Sequence, residues 1–163
     1  MSFCGATVWI AAALTERLRG LAAEHAPLET GGVFAGYWLR DGATAVVTDA
    51  VGPGPNACHE TTAFTPDAEY HTRELARIYQ QSGRLHGYLG DWHTHPFGST
   101  RLSRADRRTL RTIMRYAPAR TITPLMGVVA GDGSAWHLGL WIGRERRWLP
   151  CGTRIDEVTV REY

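Results

Sequence analysis

The run His93-Thr94-His95-Pro96, followed by Ser103 and Asp106, limits what this chain can become more than any other stretch of it. Two histidines one residue apart reach a common point when the segment is extended, because alternate side chains of a strand share a face. Ser103-Arg104-Ala105-Asp106 carries a different signal. A serine followed three residues later by a carboxylate marks a helix start, with Ser103 as the N-cap and Asp106 at N3. An ionised carboxylate is favoured in that first turn, where the macrodipole is positive. The segment therefore asks for a strand that ends, turns, and passes into a helix whose first turn faces the strand's histidines. Two neutral imidazoles and one carboxylate are a three-ligand set for zinc with the fourth position open to water, the pattern of a catalytic site rather than a structural one. With Glu29 as a free carboxylate far upstream, the set reads as a hydrolytic metal site.

The rest of the chain supplies a frame for it. Val8 to Ile10 read as a short strand, and Leu14, Leu18, Leu21 and His25 recur at helical spacing until Pro27 closes the helix. Glu29-Thr30-Gly31-Gly32 leads into a strand over Val33 to Trp38, so Glu29 sits at a strand entrance. Arg40-Asp41-Gly42 is a hairpin signal, with Thr44 to Thr48 as the return strand. Gly52-Pro53-Gly54-Pro55-Asn56 marks a long loop over Val51 to Pro66. Asp67 to Gln81 reads as a second helix, Leu85 to His95 as the ligand-bearing strand, and the segment after Ser103 as a third helix that buries Leu110, Ile113, Met114 and Ala117. Leu125 to Ala130 and Ala135 to Ile142 flank a hairpin at Gly131-Asp132-Gly133. Short strands are expected at Arg147 to Leu149 and Val158 to Val160. This order points to a mixed α/β fold with helices packed on a central sheet.

At 163 residues the chain is expected to form one domain, residues 1–163, with a core over about 8–142. Its 44% hydrophobic and 21% charged residues exclude a disordered segment. The absence of a long apolar run and of a signal-peptide pattern leads to the expectation of a cytoplasmic protein without a membrane span. Cys4, Cys58 and Cys151 are odd in number and lack a Cys-x-x-Cys pair, so they read as free thiols. A formal charge of +2 is too small to imply nucleic acid, although all 18 basic residues are arginine. A GC-rich genome is the simpler reading of that bias, given the many Ala and Gly residues.

In full, His93-Thr94-His95-Pro96, six residues, Ser103, two residues and Asp106, with a distal Glu29 before Thr-Gly-Gly, resembles the JAMM motif of the JAB/MPN metalloprotease family at every position. The resemblance runs from about Val8 to Ile142. It implies a JAB/MPN-like α/β domain in which a mixed central sheet is flanked by helices, a cytidine-deaminase-like architecture. It further implies that His93, His95 and Asp106 bind Zn2+. Glu29 would be the general base that deprotonates the metal's water and then protonates the leaving amine, and Ser103 would stabilise the oxyanion. Ser103 is equally well explained as a helix cap. Among bacterial members, the chain is more similar to deconjugases of antiphage operons (CBASS and Bil systems) in its Gly52 to Asn56 loop, its Phe64 to Asp67 stretch and its Leu89 to Pro96 strand. The implied partners are a ubiquitin-like protein and its conjugates, with E1-like and E2-like proteins of the same operon. Neither nucleic acid nor membrane is implied. The alternatives are a processing protease for a ubiquitin-like sulfur carrier and a non-catalytic JAB scaffold, which should have lost a ligand or the glutamate. For an isopeptidase, a lysine-free surface would also escape self-modification.

Other residues have competing readings. His25 and His71 lie on apolar stripes and read as core or boundary histidines. His59-Glu60 reads as an exposed polar pair or as part of a substrate groove. Trp92 and Phe97 flank the ligands as core or as binding aromatics, and Gly31, Gly32 and Gly36 serve either close packing or an extended substrate tail added to a sheet edge. Arg104, Arg108, Arg111 and Arg115 share a helix face, which reads first as solvated and second as a match for an acidic partner. Neither a Cys-x-x-Cys nor a His-x-Glu occurs, so a zinc deaminase is excluded.

Overall fold

The computed structural model describes residues 5–121, 123–145 and 152–163. The chain runs β1 (Thr7–Ile10), α1 (Ala12–His25), β2 (Gly31–Trp38), β3 (Thr44–Val51), β4 (Cys58–His59), β5 (Phe64–Thr65), α2 (Ala68–Gln81), β6 (Gly87–Pro96) and α3 (Arg104–Arg115). A short 3-10 turn (Ala117–Ala119), β7 (Leu125–Gly131), β8 (Trp136–Glu145), β9 (Thr153–Glu157) and β10 (Thr159–Glu162) follow. The strand expected at Arg147 to Leu149, and Cys4 and Cys151, lie outside the described residues. Cys58 is a free, exposed thiol.

Eight strands form one mixed sheet in the order β10-β1-β3-β2-β6-β7-β8-β9. β6, the ligand-bearing strand, lies inside it, antiparallel to β2 and parallel to β7. Alternation along the strands sorts side chains to two faces. Phe34, Leu89, Trp92 and Val129 pack with Leu18 and Ala22 of α1 on one face. On the other, Val33 and Ala35 pack with Ile78 of α2, and Met126, Val128 and Ala130 with Leu110 of α3. The fold is thus a mixed sheet flanked by three helices, as the sequence led one to expect.

Three details differ from the sequence reading, the first being that Ala117, expected on the buried face of the third helix, lies exposed in the 3-10 turn after Arg115. The stretch read as an open loop contains a small hairpin, β4 paired with β5. Two-residue strands are too short to show alternation, which is why the pattern missed them. The final residues also belong to the sheet, since β10 pairs in parallel with β1, well beyond residue 142, and Val158 is buried.

Trp92 is 1% exposed and its indole N–H donates to Val51 O at 3.0 Å, so it belongs to the core and not to a binding surface. The glycines of β2 sit in close packing. β2 is paired by β6 along Gly31–Gly36 and by β3 along Val33–Trp38, so Gly36 is enclosed on both sides while Gly31 and Gly32 pair on the β6 side. A Cβ on Gly32 would stand 1.9 Å from Val51 O.

Candidate metal centre

The β6 residues His93 and His95 project from the sheet face that carries α2 and α3. α3 begins with a capping box: Asp106 N–H donates to Ser103 Oγ at 3.1 Å, and Ser103 N–H donates to Asp106 Oδ2 at 2.6 Å. That reciprocal pair satisfies two otherwise orphaned donors and fixes the Asp106 side chain in the first turn. Its carboxylate meets the histidines there. His93 Nε2 and His95 Nε2 are 3.0 Å apart, Asp106 Oδ1 lies 3.1 Å from His93 Nε2, and Asp106 Oδ2 lies 3.4 Å from His95 Nε2.

These distances fit a metal. Tetrahedral coordination with bonds of about 2.0–2.1 Å sets neighbouring ligand atoms about 3.3 Å apart. The orientation of His95 fits as well. Its Nδ1–H donates to Ser99 O at 2.9 Å, which leaves Nε2 as the lone pair facing the site. Two imidazole nitrogens turned towards one another with a carboxylate beside them call for a cation between them. The three side chains are each 14–17% exposed, so the site is recessed but open to a small ligand.

Electrostatics follow from this clustering. Burial alone would raise the Asp106 carboxyl, but hydrogen bonds from His93, His95 and Ser103 hold it far below the usual carboxylate range. His95 is raised, first by its hydrogen bond with Asp106. Glu29 is raised by burial, partly opposed by the nearby His93 and His95 charges and reinforced by Asp106. A second half-buried carboxylate, Asp91, shares the His93 face, accepts the Tyr88 hydroxyl at 2.7 Å and is also raised by desolvation.

Glu29 is brought to this cluster by the sheet register. Gly31 faces His93 across the β2–β6 pair, and Thr94 N–H donates to Thr30 O at 2.8 Å. Two residues before Gly31, the Glu29 carboxyl comes close enough for the charges of His93, His95 and Asp106 to act on it. Thr94, between the two histidines, turns to the other face, where its Oγ1 accepts Thr30 N–H at 2.9 Å. Thr30 and Thr94 are fully buried. The strand that carries the imidazoles is therefore bonded in both directions to the residue next to Glu29.

The β4–β5 hairpin holds Glu29 from its other side. Glu29 N–H donates to Glu60 O at 2.7 Å, and His59 Nδ1–H donates to Glu29 O at 3.0 Å. Phe64 packs over Gly31, where a Cβ would come within 2.9 Å of its ring. His59-Glu60 thus acts through its backbone and one ring nitrogen, a role no side-chain motif announces. His71 is buried and donates to Gly52 O at 2.8 Å, which anchors the loop before the hairpin. His25 is half-buried and stacks on His59 with ring centroids 4.4 Å apart.

Beyond His95 a shallow groove of about 630 Å³ opens, lined among others by Phe97, Ser99, Ala130, Asp132 and His137. Phe97 is 71% exposed at φ 60°, an uncommon conformation for a bulky residue, and is held by its N–H bond to Gly131 O at 2.6 Å.

The molecule has recognisable relatives. A family model described as prokaryotic homologues of the JAB domain matches residues 11–148. A Sinorhizobium fredii (strain NBRC 101917 / NGR234) protein named "Probable metalloprotease y4qB" is 40% identical over 150 residues, 91% of each chain. A "CD-NTase/cGAS isopeptidase" of Enterobacter hormaechei is 29% identical over 104 residues, 64% of this chain and 56% of the relative. The solution structure of a Desulfitobacterium hafniense protein superposes with a TM-score of 0.69, covering 96% of this chain and 92% of the other, at 16% identity, a likeness of fold alone.

Proposed function

Because the chain belongs to the family of prokaryotic homologues of the JAB domain and is a peptidase or isopeptidase of the bacterial deconjugase type, we propose that it is a zinc-dependent isopeptidase. It would cut after the C-terminal residue of a ubiquitin-like protein and release that protein from its conjugates. The setting is a bacterial antiphage system in the cytoplasm, with E1-like and E2-like proteins as the opposing machinery. The observation that carries this reading is the convergence of His93, His95 and Asp106 at tetrahedral spacing. The isopeptidase name of the Enterobacter hormaechei relative supports the bond type.

In this reading His93, His95 and Asp106 hold the zinc. When bound, zinc supplies Lewis acidity that makes a water nucleophilic near neutral pH. Glu29 accepts the proton which that water gives up and passes it to the departing amine, a service worth about 10² to 10⁴ in rate. The Ser103 oxygen accepts its cap bond through a lone pair, so its O–H is free to donate to the developing oxyanion. The groove past Phe97 gives room to the chain on one side of the scissile bond.

The test is a cleavage assay on fusions and conjugates of candidate ubiquitin-like proteins, with a chelator and Glu29→Gln as controls. Both controls are expected to abolish cleavage with the fold intact, and full activity in either refutes the mechanism. Cleavage of a linear sulfur-carrier fusion, with isopeptide conjugates untouched, would replace deconjugation by precursor processing.

A further inference from the structure

α3 carries five arginines, Arg104, Arg107, Arg108, Arg111 and Arg115, against one acid, Asp106, which is turned to the histidines. The helix is therefore net +4 in a molecule whose total is +2, and the remainder of the chain is net negative. Arg104, Arg108, Arg111 and Arg115 are exposed and follow one another at spacings of four, three and four residues, a single stripe. At 1.5 Å per residue the stripe is roughly 17 Å long. It starts at the first turn of α3, two residues before Asp106, and leads away from the metal centre.

Among the described residues no carboxylate pairs with any of these guanidinium groups, although other arginines of the chain do find acids, such as Arg77 with Glu74 and Arg154 with Asp156. Arg107 lies over the Trp141 ring and Arg111 donates to Thr153 Oγ1. Like charges three and four residues apart repel, so the stripe loads the isolated helix unfavourably. The surface is also concave, with a cleft of about 360 Å³ between Arg108, Arg111, Thr112, Arg115 and the exposed Tyr116. Arginine and tyrosine are the residue types that dominate binding hot spots, and a guanidinium takes a carboxylate through two parallel hydrogen bonds.

We propose that the α3 arginine stripe docks an acidic face of the protein whose bond is cut, and so aligns that protein with the metal centre at the head of the helix. This rests on the isopeptidase reading above. A protein patch fits better than a nucleic acid because the chain outside α3 has more acidic than basic residues, a balance that disfavours an extended polyanion tracking beyond the helix.

The test separates docking from catalysis. Binding of a fluorescein-labelled twelve-residue poly-glutamate peptide is followed by anisotropy at low and at physiological salt, without any cleavage. Arg108→Glu/Arg111→Glu is expected to weaken binding at least tenfold, whereas Arg40→Glu/Arg73→Glu, with the same net charge but elsewhere on the surface, leaves it within twofold. No binding by the wild type, or equal loss in both variants, overturns the proposal. A twelve-nucleotide single strand that binds ten times tighter than the peptide overturns it in favour of nucleic acid. Glu29→Gln is expected to bind the peptide like the wild type, so a failed cleavage reading leaves this result standing, and the reverse holds too.

Discussion

Glu29 is a base held where its charged form is disfavoured, and that sets two opposite pH dependences. Burial raises its pKa above the ordinary 4.5, so the ionised base is lost on acidification earlier than for an exposed glutamate. In the metal-free protein, carboxyl titration followed by NMR is expected to place Glu29 above 4.5. Stability runs the other way. A carboxyl whose folded pKa is raised stabilises the fold below its unfolded pKa, and that contribution is lost as pH rises through the folded value. Metal-free Glu29→Gln should therefore melt above wild type at pH 7, with the difference vanishing under acid conditions, while cleavage falls by about 10² or more. Scanning calorimetry at several pH values reads the first effect. Thr94 offers a second residue-scale test. Thr94→Val leaves the buried Thr30 N–H without its acceptor, at about 1–3 kcal/mol in a denaturant titration, and Thr94→Ser restores most of that stability together with kcat.

At the level of elements, the capping box of α3 gives Ser103 a structural task that any catalytic one must share. Ser103→Ala is expected to cost about 1 kcal/mol through the lost cap. Ser103→Asp keeps an accepting oxygen but has no proton to give, so it should recover stability in urea titrations without recovering turnover. The strand carrying His93 and His95 and the helix start at Ser103 were legible because their chemistry imposes periods, two for the strand and a three-residue step for the cap. Glu29 was legible as a strand entrance, but its fixation was not. The bonds from His59 and Glu60 come from a hairpin of two-residue strands, and backbone bonds leave no mark on residue type. Gly31 was read as either a tail-binding or a packing glycine, and the Trp92 carbonyl and Phe64 ring beside it show how close the packing there is. Gly31→Ala would press on the Trp92 carbonyl of β6, at 2.5 Å, and then on the Phe64 ring, so it should shift both the ligand-bearing strand and the hairpin beside Glu29 and lower kcat more than it changes KM.

For the molecule as a whole, a ligand set built from a strand and a helix start couples metal occupancy to global stability. Metal bound to the folded state alone adds RT ln(1 + [L]/Kd), about 4 kcal/mol at a thousandfold excess over Kd, which raises Tm on the order of 10 °C at this size. Chelation should reverse that rise, and Asp106→Ala should abolish it. The sheet adds a constraint of its own in time. β1 receives its outer neighbour from Thr159–Glu162, far downstream in the chain, so one side of that strand stays bare until those residues have been made. During that interval its unpaired peptide groups invite partners from neighbouring nascent chains. The sheet edge beside β1 is thus closed only when Thr159–Glu162 are in place, and a substitution that weakens β10 reopens it in the finished molecule.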